Sequence, residues 1–167
     1  MVGLTRMQAG YVTAMRRELV EGDPHYFTRA LRDRRFDAAV KRGDLTQDDI
    51  SRIAGRYSDR LLKFRGDTIA RTEALSALHA GQYEAMQQAI DAGKVRADMV
   101  TKVWSATGDG RTRDTHRAMD GQSQQWQSAF TSPSGAMFRY PQDVSLGAPA
   151  DEVIGCRCHM TIRVKYL

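Results

Sequence analysis

The sequence has two cysteines, Cys156 and Cys158, in the stretch "GCRCHMTIRV". In extended backbone, residues two apart face the same side with Cα atoms about 6.5 Å apart. That is wide for an unstrained disulfide but suits two thiolates at neighbouring corners of a tetrahedral metal site. The third corner is best supplied by His116, in "GDGRTRDTHRAMDGQ". With Cys156 and Cys158 it forms a candidate site for one structural zinc ion. Asp109, Asp120 and His159 are candidates for the fourth position, His159 handicapped because strand alternation turns it away from its neighbours. The competing reading makes both cysteines small buried apolar residues.

The same histidine lies among arginines. Arg111 and Arg113, two apart in an extended loop, can fork toward one phosphate or carboxylate, with Asp109 and Asp114 as the internal partners that would otherwise hold them. A second basic stretch, "RDRRFDAAVKR", offers Arg34 and Arg35, with Arg32, Lys41 and Arg42, to a nucleic acid backbone or to solvent. His116 as a base beside an arginine also permits a hydrolase. No paired carboxylates, nucleophile elbow or phosphate loop accompany it, so the expectation is a protein that is not an enzyme. His25 and His79 are isolated and expected at a surface or interface.

Local patterns place these residues. Leu4, Met7, Tyr11, Met15 and Leu19 recur at helical spacing, and "EGDPH" stops that helix. Short helices are expected through Phe27 and Leu31 and from Phe36 to Val40, ending near Gly43. Thr46, with Asp49 three residues on, caps a long amphipathic span through Ile50, Tyr57, Leu61, Leu75, Leu78 and Ile90. It would measure roughly 65 Å if unbroken, with Gly66 and Gly81 as places to bend. Beyond Gly93 the character changes. "MVTKVWSAT" reads as a strand, Arg113 to Met119 as a short helix, Ser132 to Gly135 as a turn and "LGAPADE" as loop. The alternation of Cys158, Met160, Ile162 and Val164 reads as a half-buried strand. The fold class is α+β: a long amino-terminal helical arm, 1–93, then a small compact domain with a short antiparallel sheet, 94–167.

Composition narrows the setting. The chain has 167 residues, 41% of them hydrophobic, with a net charge of +5. Basic residues are spread along the chain, which tolerates a polyanionic neighbour without requiring one. No run approaches the roughly 18 apolar residues that span a bilayer. The opening "MVGLTRMQAGYVTAMRREL" lacks an apolar signal core, which argues for use in a cytoplasm, or in something assembled there, and against a secretory disulfide framework.

In order, "IARTEALSALHAGQYEAM", "KVWSAT", "DGRTRDTHRAMDGQ", "FTSPSGAMFRYPQD" and "GCRCHMTIRV" resemble the phage Mu F-like head morphogenesis proteins over Ile69 to Val164. The matching positions are Arg71, Thr72, Glu73, Trp104, Asp109, Arg111, Arg113, His116, Asp120, Gly121, Cys156 and Cys158. Val153, Ile154 and Gly155 stand where relatives often carry His-Pro-Asn, which removes one histidine a four-ligand metal site would use. The resemblance implies a minor capsid protein of a tailed phage, acting during procapsid assembly. Its partners would be the portal protein, on which it would be oligomeric, and the major capsid protein. It would sit in the capsid interior of the virion after assembly in the host cytoplasm, with contact to packaged double-stranded DNA. A non-specific nucleic-acid-binding module using Arg34, Arg35, Arg111 and Arg113 is the alternative, ahead of the His116 hydrolase.

Overall fold

A computed structural model describes residues 3–165. The chain packs as two compact units, one ending at Asp67 and one beginning at Thr68. The division falls within a helix that is continuous in secondary structure, and each unit is described by itself.

In the first unit, α1 (Arg6–Glu21) opens on a reciprocal cap. Gln8 N–H donates to the Thr5 hydroxyl, and the Gln8 side chain accepts from the Thr5 N–H. It ends at Gly22, whose φ of 66° lets its N–H turn back to the Glu18 carbonyl. Two 3-10 turns, Pro24–Thr28 and Arg34–Phe36, lead to α2 (Asp37–Arg42). The short helix expected through Phe27 and Leu31 is thus a 3-10 turn that ends at Thr28, before Leu31. α3 (Gln47–Asp91) begins on the anticipated cap, Asp49 N–H donating to Thr46 Oγ1 while the Asp49 carboxylate accepts from Thr46. It runs through Gly66 and Gly81 without interruption. Met15, Leu19, Tyr26, Ile50, Ile53, Tyr57 and Leu61 form the core of this unit, each large aliphatic contributing about 1.5–3 kcal/mol by burial.

Charge is organised inside this unit as well. Buried Glu18 takes two hydrogen bonds of 2.6 Å from Arg29, and His25 lies 2.8 Å from the same carboxylate. Buried Asp33 receives Arg35 at 2.6 Å, with Arg60 at 3.3 Å and Arg56 at 3.8 Å.

The second unit holds a three-stranded antiparallel sheet ordered β2-β1-β5, from β1 (Val100–Ser105), β2 (Ser123–Gln125) and β5 (His159–Val164). β1 is central, with Trp104 opposite Met160 and Lys102 opposite Ile162. α4 (Asp114–Ala118) lies between β1 and β2 in the chain. A hairpin of β3 (Phe130–Thr131) and β4 (Met137–Phe138) brackets the expected turn at 132–135, and a one-turn helix α5 (Ala150–Val153) interrupts what reads as loop. Val100, Lys102 and Trp104 occupy the buried face of β1, where Trp104, Trp126, Phe130 and Phe138 build the core. The architecture is α+β, as the patterns indicated. No helix among the described residues is long and apolar enough to cross a membrane.

The Asp33 cluster has a defined pH signature. The hydrogen bond from Arg35, aided by the charge of Arg60, outweighs burial and holds the carboxyl down at about 2. Its folded value lies below its unfolded one, so its contribution is complete above about pH 4 and fades as pH falls toward 2. Asp33→Asn is expected to cost about 2 kcal/mol at neutral pH. Chemical denaturation of both proteins should show that difference shrinking between pH 4 and pH 2.

Candidate metal centre

β5 begins at His159, one residue later than the alternation suggested, so both cysteines lie in the extended segment leading into it. They are buried and unpaired by any disulfide. The left-handed backbone of Gly155, φ 69°, turns the chain out of α5 toward them; nothing crowds its Cβ position, so glycine is required by φ alone.

The segment is held by its backbone. Thr72 Oγ1, on α3, accepts from Gly155 N–H at 3.0 Å and donates to its own helix at Thr68 O. Gln142 Nε2 donates to Cys156 O at 3.2 Å and to Thr72 O at 3.4 Å, and its residue takes a φ of 69°, unusual outside glycine. Thr107 Oγ1 donates to Arg157 O at 2.8 Å, and Arg113 donates to Ile154 O.

Against this segment α4 places His116, also buried. Its Nδ1 is 3.5 Å from Sγ of Cys156 and 3.5 Å from Sγ of Cys158, and the three candidate ligand atoms all lie within 4.8 Å of one another. Bond lengths of about 2.3 Å to sulfur and 2.05 Å to nitrogen in a tetrahedral zinc site put N and S about 3.6 Å apart. The spacing fits. In a metal-free protein the same distance serves S–H···N contacts.

The far side of the ring meets Glu152 of α5, its Oε2 standing 2.9 Å from His116 Nε2. The two are in ion-pair range without an aligned N–H···O bond. Glu152 is itself fixed by Ser134 Oγ at 2.6 Å and Thr115 Oγ1 at 3.0 Å, with Ser132 Oγ at 3.4 Å. Burial works to raise its carboxyl, but these hydroxyls hold it below the ordinary value. A carboxylate on Nε2 favours the tautomer that leaves Nδ1 free to face the sulfurs, the arrangement that orients metal-binding histidines. Between the thiols, Cys158 loses its proton first. A hydrogen bond from Cys156 and the neighbouring His116 favour its thiolate, while the same pairing and burial push Cys156 up.

The expected fourth ligands do not join. Asp109 takes a bidentate pair from Arg157 at 2.6 and 2.7 Å, Asp120 accepts from Ala106 N–H at 2.8 Å, and His159 is exposed opposite Ser105. Of the internal partners expected for Arg111 and Arg113, Asp109 keeps Arg111 in ion-pair range and accepts its backbone N–H at 3.0 Å, while Asp114 turns to Arg117. Arg111 stays at 4.0 Å from Asp109, Asp114 binds Arg117 at 2.6 Å, and Arg113 serves the Ile154 carbonyl. Arg111 and Arg113 nonetheless line one small cavity beside the cysteines. Arg34 and Arg35 belong to the other compact unit, Arg35 on Asp33. His79, expected near a surface, is buried, and desolvation lowers its pKa. Glu152 and its serines escaped the sequence reading. The only signals were an acid four residues before Cys156 and the "SPSG" turn.

The connectivity Cys156–His116–Glu152 is also that of a nucleophile, a base and an orienting acid. At 2% and 3% exposure, however, the two thiols leave space beside them for no more than about one water-sized group.

Fold and site thus define an α+β protein whose second unit is tied together at a buried thiol–imidazole centre. The chain belongs to the Phage Mu protein F like family, whose model matches residues 33–161. Comparison with curated proteins and with solved structures found no match. Membership makes this a protein of the phage head morphogenesis class.

Thr72→Val removes the acceptor of a half-buried N–H. It is expected to destabilise the protein by about 1–3 kcal/mol, read from denaturant midpoints at unchanged m-value.

Proposed function

We propose that this protein is a minor head protein of a tailed phage or phage-like particle, working at the portal vertex during procapsid assembly. The family match over 33–161 carries this reading. The helical region, 1–93, would supply contacts to the portal, on which the protein is oligomeric, and to the major capsid protein. Residues 94–167 would form the head-morphogenesis core. The protein would act in the host cytoplasm and remain in the capsid interior. The family is one of structural head proteins, consistent with a role that is not enzymatic.

In this reading His116, Cys156 and Cys158 hold one structural zinc ion. The N–S spacing and the carboxylate behind the imidazole support it. Zinc would join the segment before β5 to α4, and the chain's own residues supply the rest: Glu152 sets the imidazole, while Thr72 and Gln142 set the sulfurs. Contact with packaged DNA would fall to Arg34, Arg35, Arg111 and Arg113. Support comes from the largely exposed Arg111 and Arg35 side chains, each near one carboxylate only.

Purified particles should contain the protein together with portal, with near one zinc per copy by elemental analysis. A protein absent from particles and indifferent to portal would overturn the assembly role. Glu152→Gln should weaken zinc binding about 10- to 100-fold in a competition titration with a chromogenic chelator. DNA affinity should drop steeply as salt rises, and a flat response would remove the DNA contact.

A further inference from the structure

We infer that the metal centre proposed above takes its fourth ligand from outside the chain, as an exchangeable small monodentate anion. This rests on the metal reading and goes beyond it. Among the described residues, only His116, Cys156 and Cys158 group as ligands, while zinc in a structural site takes four. The other nearby acids are engaged elsewhere: Asp109 by Arg157, Asp120 by a backbone N–H, and Glu152 on the imidazole nitrogen that faces away from the sulfurs.

The cluster faces a cavity of about 10 Å³ lined by Thr107, Arg111, Thr112, Arg113 and Arg157 along with the three ligands. Guanidinium groups carry no lone pair to offer a cation, and the neutral hydroxyls of Thr107 and Thr112 lie outside the thiolate, imidazole and carboxylate set from which zinc sites are built. The space suits roughly one water-sized group.

Charge then chooses which group. Two thiolates neutralise a dication and the imidazole adds nothing, so the centre itself attracts no anion at long range. Its surroundings do. Three guanidiniums line the cavity, and among the described residues Asp109 is the only carboxylate that pairs with any of them. Arg113 points its donor at a backbone carbonyl and Arg111 is largely exposed, so positive charge is in excess where the fourth ligand must enter. An anion is favoured there over a neutral donor of the same size.

The test uses the full chain loaded with cobalt(II), whose visible bands report its coordination. Fluoride, close to water in size, should shift those bands saturably, and ammonia of similar size, compared where it is unprotonated, should do so far more weakly. Arg111→Ala, at an exposed position, should raise the apparent fluoride Kd roughly threefold. Bands unmoved by fluoride would mean that the chain closes the site itself, overturning this inference while leaving the metal reading intact. Ammonia binding as well as fluoride, or an unchanged Kd in Arg111→Ala, would overturn the preference for an anion. Failure to take up cobalt at all would overturn the metal reading and this inference with it.

Discussion

The second unit depends on how the backbone from Ile154 to Arg157 is satisfied while its cysteines are buried. Two sulfurs are packed against an imidazole while the peptide groups between and beside them find side-chain partners, Cys156 O in the interior and Ile154 O and Arg157 O at the surface. Thr72, Gln142, Thr107 and Arg113 supply those partners from three different parts of the chain. Each is a polar side chain whose main role is to serve a carbonyl or an N–H. The left-handed conformation of Gln142 fits this picture, since a residue held in a sparse backbone region persists only where its surroundings over-determine it.

A second constraint runs through the middle of the sheet. Lys102 occupies a core position on β1 with its side chain fully buried. Its ammonium donates to Arg139 O at 2.7 Å and stands 5.2 to 5.6 Å from the ring centroids of Phe130, Tyr83 and Trp126. Burial pulls its pKa down to about 8, with the buried Asp143 carboxylate working the other way. Ring faces and a carbonyl thus do the work of a counter-ion. Tyr83 and Trp126 stack at 4.5 Å beside it, and Trp126 Nε1 donates to Gln87 on α3, which ties the sheet to the helix within this unit.

Much of this was legible in the sequence, and the reasons differ by element. Thr46 and Asp49 announced the start of α3 because capping is local chemistry. β1 and β5 were visible through strand composition and alternation. The meeting of His116 with Cys156 and Cys158 followed from metal-ligand spacing and from the resemblance to a known family. Glu152 was hidden because its role depends on a hairpin turn and a single helical turn converging, which no periodicity encodes. Lys102 read as an ordinary strand residue, since a lysine among aromatics carries no short-range mark. The arginine pairings were legible only in part, for a similar reason. Sequence proximity favours Asp109 with Arg111, whereas Arg157 arrives from a distant segment with better bidentate geometry.

The strand order β2-β1-β5 sets a timetable for folding. β1 sits between a partner made soon afterwards and one made only when residues 159–164 emerge, so during synthesis one edge of its ladder stays open while more than fifty residues are added. Nascent chains stalled before β5 would expose that edge, with Val103 and Thr101 beside it, to other chains.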